Sequence, residues 1–465
     1  MGKIAQGPRR MKLLPALAAL AIAGCGQVQE LGTVAELGGG LVARTMCTAV
    51  FVQGRAPEDV WPHDLGPDID PRLSLFSATI DREKGEVRAG RFGVTAAMAG
   101  HTPGLGCAVG RPGEGPGTPI RIAPDPRPFP AGDGPADNGQ GLVANPEALD
   151  AAVAAAMTPG SFGNPAKDPV TRSVVIIHQG QLVAAAHADG WGPTTPHYSA
   201  SMSKTVAAAL VGILVGEGKL ALDDDALLPE WADDRRAIRL AHLLDMESGL
   251  DFNETYEGIA DPGRMLYIER SASGFALARP LREPAGTRFY YSSGDTNILM
   301  RVARLRSGRD RAAWNAFPQE ALFDPVGMRS ALFEQDAEGD FVGSTFVVAS
   351  ANDWARFGLM LADGGRVEGK QLVPEEWVNR MLTPTALSQG QYSTQTWFRG
   401  GVPGERGRTI ELAGYGGQFV TIVPETRTVI VRMGFQPDRS AWDQARFLEA
   451  VFKALGIDAP TGNRN

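Results

Sequence analysis

The chain has 465 residues, 43% apolar and 21% charged, the balance of a folded globular protein and not of a disordered one. Its 45 basic and 53 acidic residues leave a net charge of −8, and no basic run follows the first dozen residues, which argues against an electrostatic nucleic-acid binder. Only eight of the cations are Lys, so a Lys in a chemically meaningful place carries extra weight.

The N-terminus reads Arg9-Arg10-Met11-Lys12, an apolar run from Leu13 to Ala23, then Gly24-Cys25. Eleven apolar residues are too few to span a bilayer, which takes about twenty, but they suit the core of a secretory signal. The tail Ile22-Ala23-Gly24-Cys25 resembles the lipobox of bacterial lipoproteins, in which the Cys is acylated. The expectation is a signal peptide over 1–24 and an exported protein anchored to a membrane, on its periplasmic side, by lipid on Cys25. Export puts the remaining Cys47 and Cys107 in an oxidising compartment, where an even pair reads as a disulfide. No Cys-x-x-Cys and no Cys/His cluster supports a zinc site.

Residues 25–143 read as a tether followed by a Pro/Gly-rich segment. Gly26 to Gly40 is small and polar, and short strand-like runs follow at Leu41–Val52 and Glu86–Met98. Residues 101–140 hold 18 Pro and Gly, a density that reads as extended loop. The main domain, 144–458, opens with Asn145-Pro146-Glu147, a cap, an N1 proline and a first-turn acid ahead of a helix through Met157. Ser173–His178 and Gln181–Ala186 flank a Gln179-Gly180 turn and predict a hairpin. Gln418–Val423 and Thr428–Gly434 predict a second, and Trp442–Leu455 has helical period. The layout is α/β or α+β, an antiparallel sheet flanked by helices.

The chain lacks a Gly-x-Ser-x-Gly elbow, a His-Glu-x-x-His and a phosphate-binding glycine loop, and its six His stand scattered. It does contain Ser199-Ala-Ser201-Met-Ser203-Lys204-Thr205, followed by the apolar run of a buried helix. A spacing of three puts Ser201 and Lys204 on one helix face. A serine hydroxyl is a poor nucleophile until a base takes its proton, and a lysine desolvated on a buried helix can take it. The helix dipole would further stabilise negative charge developing at Ser201.

With Glu217-Gly-Lys-Leu-Ala-Leu-Asp-Asp224 and His242-Leu-Leu-Asp-Met-Glu-Ser-Gly249, this stretch resembles the penicillin-recognising serine hydrolases. The likeness is strongest to the class C β-lactamase branch, with its family VIII esterases and 6-aminohexanoate-dimer hydrolases. It covers roughly residues 145–458 and implies a β-lactamase/transpeptidase-like fold, with the active site between the sheet and an all-helical subdomain. It also implies Ser201 as nucleophile, Lys204 as base and no metal or organic cofactor.

The family's Tyr-x-Asn follows a Pro-Gly-Thr turn, and Pro284-Ala-Gly-Thr287-Arg-Phe-Tyr-Tyr291-Ser-Ser293 matches it, with Ser293 in place of Asn. Tyr291 would share proton transfer with Lys204, and the adjacent Tyr290 is a competing register. The third motif is normally Lys-Thr-Gly or His-x-Gly. Its counterpart resembles Tyr415-Gly416-Gly417, after which the Gln418 N–H would join that of Ser201 in holding an oxyanion. Tyr256 stands where some relatives close a Tyr over the substrate.

The implied function is cleavage of a small linear amide or ester through an acyl-enzyme. β-lactamase or D-Ala-D-Ala carboxypeptidase activity, and a non-catalytic cell-wall module, are the alternatives.

Overall fold

A computed structural model describes residues 32–457 apart from 66–69, 116, 118–122, 124, 137–138, 165–169, 256–258, 400–408, 437 and 439–440. The leader, Cys25, the first residues of the expected tether and Tyr256 lie outside the described residues.

The strand expected at Leu41–Val52 is instead part of a helix, α1 (Gly32–Val52), whose last five residues form a π turn. Its buried positions are Val42, Ala43, Met46, Cys47, Ala49 and Val50. That is the three-to-four spacing of a helix face, hidden by a run of apolar residues short enough to suit either period. The expected tether is likewise helical from Gly32 onward. α1 is long and apolar enough to cross a membrane by length and composition, yet its apolar face packs on protein.

An antiparallel four-stranded sheet follows: β1 (Ser77–Asp81), β2 (Glu86–Arg91), β3 (Val94–Thr102) and β4 (Gly106–Val109). The run expected as one strand from Glu86 is thus two strands joined at Phe92-Gly93. Cys47 and Cys107 form a disulfide that ties α1 to β4 across 60 residues. Around them Met46, Val60, Leu73, Phe76 and Val87 build a small core of their own. The stretch 101–140, expected as extended loop, holds the end of β3 and all of β4; past β4 its described residues hold one short turn of 3₁₀ helix and otherwise no regular helix or strand.

Asn145 caps α2 (Pro146–Met157), its side chain accepting the Ala148 N–H at 3.1 Å. β5 (Val170–His178) and β6 (Gln181–His187) form the first hairpin, with both turn residues at positive φ, Gln179 at 50° and Gly180 at 77°. Next come α3 (Ser203–Gly216), α4 (Ser293–Arg306) and α5 (Ala351–Ala362). The chain then returns to the sheet through β7 (Tyr392–Ser393), β8 (Thr396–Arg399), β9 (Thr409–Gly414), β10 (Gln418–Val423) and β11 (Thr428–Phe435), and ends in α6 (Gln444–Leu455).

The main sheet is antiparallel in the order β7-β8-β9-β10-β11-β5-β6. Both faces are covered, so β5 reads as an unbroken apolar run. Val174 and Ile176 pack towards Leu149 of α2 and Phe447 of α6, while Val175 and Ile177 join the core of Trp354 and Phe357 of α5. The helical side, from α3 through α4, shares that second core through Leu210, Leu243, Ile298 and Leu299. A sheet with helices on both faces is the layering that the resemblance implies.

α1 docks on this body with little space to spare. A Cβ on Gly40 would come within 1.7 Å of the Tyr267 carbonyl oxygen. Arg44 reaches the buried carboxylate of Glu334 at 3.4 Å and lies 3.4 Å from the centre of the Phe346 ring. Glu334 also accepts from Thr48 Oγ1 at 3.0 Å and the Cys107 N–H at 2.9 Å. Burial pushes its carboxyl above the usual range, opposed by Arg44.

Candidate active site

The turn carrying Ser201 is stitched to the neighbouring short strand Val347–Ala349 by the two serines that flank it. Ser203 Oγ accepts the Val347 N–H at 2.9 Å and exchanges a bond of 2.9 Å with Ser199 Oγ, which also donates to the Val347 carbonyl. That leaves Ser201 as the partly exposed serine of the three. Ala200, just before it, sits at φ 48°, a left-handed conformation that non-glycine residues adopt only when their surroundings hold them there.

From the first turn of α3, Lys204 points back to Ser201, with Nζ 3.2 Å from Oγ. Lys204 is 1% exposed. Its Nζ also lies 3.1 Å from Ser293 Oγ and 3.1 Å from the Ser344 carbonyl. Ser292 caps α4 by accepting the Asp295 N–H at 3.2 Å, which places Ser293 at the first helical position, facing the lysine. Ser293 in turn gives both its protons to one carboxylate: Oγ to Glu254 Oε1 at 2.6 Å and N–H to Oε2 at 2.7 Å.

Hydrogen-bond accounting then fixes directions. The Ser344 carbonyl can only accept, and the Ser293 hydroxyl proton is taken by Glu254, so Nζ donates to both. Only the contact with Ser201 can run either way. A neutral amine with two N–H groups spent and one lone pair free would accept the Ser201 proton.

The ring centre of Tyr291 lies 4.8 Å from Nζ, within cation–π range. Trp397 and Tyr392 hold that ring at centroid distances of 5.1 and 5.7 Å. Tyr290 turns away, its hydroxyl accepting the Glu254 N–H at 3.2 Å. The structure therefore brings Ser201, Lys204, Tyr291 and Ser293 together.

Gly416 and Gly417 form the turn between β9 and β10, at φ 79° and 81°. The Gly416 carbonyl accepts the Gln436 N–H at 3.0 Å, and the Gly417 carbonyl accepts from Arg432 at 2.6 Å. The Gln418 side chain bonds across to Gly434 of β11. The sheet residue pressed against the nucleophile turn is Gly414, where a Cβ would meet the Ser199 carbonyl at 2.2 Å and Ala200 Cβ at 3.3 Å. Tyr415 follows it, exposed.

Glu254 and Trp397 escape sequence reasoning. Glu254 stands two positions before Tyr256 in the sequence, and only its bond to a serine 39 positions on gives it a role. Among the described residues no group of three or more His, Cys, Asp or Glu side chains could hold a metal ion.

Residues 149–448 match the family model described as Beta-lactamase. The chain is 26% identical over 300 residues to the 6-aminohexanoate-dimer hydrolase of Paenarthrobacter ureafaciens, covering 58% of this chain and 74% of that protein. A solved Bacillus anthracis chain named for 6-aminohexanoate-dimer hydrolase has TM-score 0.51 at 24% identity, covering 62% of this chain and 78% of the other. A Bacteroides dorei chain named for β-lactamase has TM-score 0.52 at 21% identity, covering 61% and 93%. At these identities the solved structures testify to the fold.

Proposed function

The chain belongs to the Beta-lactamase family of serine hydrolases, and from that premise we propose that it cleaves a linear amide or ester through an acyl-enzyme on Ser201. The observation that carries this reading is the Lys204 contact with Ser201, the one Nζ bond free to reverse.

Ser201 Oγ attacks the substrate carbonyl carbon while its proton passes to Nζ. The oxygen of the tetrahedral intermediate takes N–H bonds from Ser201 and from the β9–β10 turn beside Gly414. The ammonium is held by Ser293, Ser344 and the face of Tyr291. When the intermediate collapses, the carbon–nitrogen or carbon–oxygen bond breaks and the leaving group takes a proton from Lys204, with Tyr291 as relay. Water then attacks the acyl-enzyme, gives a proton to Nζ and releases the acid, and Ser201 recovers its own.

The absence of a cation from Leu412 to Gln418 favours a substrate whose leaving side is uncharged. Export and a lipid anchor on Cys25 belong to the same proposal, supported by the leader's residue pattern and by a disulfide that persists in oxidising surroundings. Labelling by a fluorophosphonate, present in the folded wild type and absent in Ser201→Ala, tests the enzyme. A folded wild type that resists the probe and hydrolyses no p-nitrophenyl ester would make the chain a non-catalytic module.

A further inference from the structure

A cavity of about 110 Å³ lies between α1 and the main sheet. Three segments that surround the nucleophile each send a residue into its wall. Tyr198 stands three positions before Ser201. Phe346 comes two after Ser344, whose carbonyl holds Lys204. Tyr415 directly follows Gly414, which abuts Ser199 and Ala200. The facing wall is α1, through Arg44, Thr45 and Thr48, pinned by the neighbouring disulfide. Parts of its wall are thus continuous in the chain with the segments that hold Ser201 and Lys204, and the facing wall lies outside residues 149–448.

Its charge is unbalanced. Arg55 and Arg172 both line it and share one carboxylate, Asp64, at 2.5 and 2.8 Å. Arg44 has its own partner in Glu334. Arg432, fully buried behind Gly417, donates to Thr171 Oγ1, Gln436 Oε1 and the carbonyls of Gly417 and Val170, none of them a carboxylate. Among the described residues, these four guanidiniums ion-pair with two carboxylates, Asp64 and Glu334, while Asp336 acts on Arg44 from further off. Burial, reinforced by Arg172, pulls Arg432 down to about 9, which still leaves it charged at neutral pH. His197, on the same wall and 1% exposed, has no partner for Nδ1. Burial and the nearby Arg172 hold it well below its ordinary value. A surplus of buried positive charge is unfavourable until an anion neutralises it.

We propose that this cavity is the acyl-side subsite, and that it receives the carboxylate at the far end of a short acyl chain, as in a half-ester or half-amide of a small dicarboxylic acid. The assignment to the acyl side rests on the serine-hydrolase reading. The acyl group stays bonded to Ser201 until water arrives, so it suits an enclosed site, whereas the leaving group must depart. Hydrolysis of such a half-ester yields the dicarboxylic acid and the alcohol, with water the only co-reactant.

The test pairs turnover with binding. The p-nitrophenyl half-ester of glutaric acid should show kcat/KM at least ten-fold above that of p-nitrophenyl butyrate at low ionic strength, and Arg55→Gln should collapse that ratio ten-fold or more. Independently of turnover, glutarate added to the Ser201→Ala protein should change the fluorescence of Trp191, whose ring lies under Arg55 and Arg172 at 5.2 and 4.6 Å, and Trp191→Phe should remove the signal. A ratio near one in the wild type overturns the subsite, as does glutarate leaving Trp191 unchanged. If Arg55→Gln fails to fold, the wild-type ratio and the Trp191 titration still decide. Glutarate binding to a protein that hydrolyses neither ester would uphold the anion site and sink the serine-hydrolase reading instead.

Discussion

Glu254 accepts both the hydroxyl and the backbone proton of Ser293, at 2.6 and 2.7 Å, and so determines which way the adjacent lysine donates. In Glu254→Gln the amide has a single accepting oxygen, and the Ser293 hydroxyl becomes free to compete with Ser201 for the Nζ lone pair. The expected result is a loss in kcat on the order of ten-fold with KM within about two-fold, because the variant alters the proton path. Unchanged kcat would remove Glu254 from the proton path.

Ser201→Ala and Lys204→Ala should each abolish nearly all turnover, and Tyr291→Phe should lower kcat by about 10²-fold or more. Lys204→Ala also strips Ser293 Oγ and the Ser344 carbonyl of a buried partner, so its melting temperature should fall. Near-normal activity in a folded Lys204→Ala protein would show that another group is the base.

Ser201 and Lys204 were legible because their relation is local, three residues apart on a helix that the next ten residues announce. The hairpins were legible for the same reason: Gln179-Gly180 and the turn after Val423 declare themselves between short runs that are together rich in β-branched residues. The helix α1 was not, since a short apolar stretch such as Leu41–Val52 suits a strand as readily as a buried helix until its partners are known. Arg44 finds Glu334 290 residues on, and no spacing rule reaches that far. Separation in sequence also hid Glu254, 39 positions from its serine, and the cavity beneath α1.

Breaking the disulfide should loosen α1 specifically. Cross-linking Cys47 to Cys107 closes a 60-residue loop, worth about 2–4 kcal/mol in the chain-entropy picture. The Cys47→Ser/Cys107→Ser double variant should melt lower than the oxidised wild type, and hydrogen exchange in α1 and β4 should rise before that of β5 and β11. Equal melting temperatures in oxidised and double-variant protein would contradict this.

Asp295 supplies a pH dependence of stability. It is buried, and desolvation pushes it up to about 7 from an ordinary 3.8, against the bond from Ser248 at 2.7 Å. Between those values the folded state keeps a proton that the unfolded state releases, so stability falls as pH rises through that window and is lowest above 7. Asp295→Asn removes the ionisation and keeps an acceptor for Ser248. Its melting temperature should exceed that of the wild type most at pH 8, with the gap narrowing towards pH 4. A gap independent of pH would show that Asp295 ionises normally.

Substrate preference follows from what the strand beside the nucleophile lacks. A cation there would hold a carboxylate on the leaving side of a β-lactam or a D-Ala-D-Ala terminus, in a charge-assisted bond worth roughly 1.5–3 kcal/mol. Leu412 to Gln418 offers no such charge, and Ser293 stands where the resemblance calls for Asn. The surplus guanidiniums sit instead beneath α1, where they cannot replace that grip if the cavity takes the acyl side. Short-chain p-nitrophenyl esters should therefore be hydrolysed measurably, and nitrocefin should turn over poorly. A kcat/KM for nitrocefin well above that for the esters would overturn the preference while leaving Ser201, Lys204 and Tyr291 in their proposed roles, because the nucleophile and its base are indifferent to where the carboxylate is held.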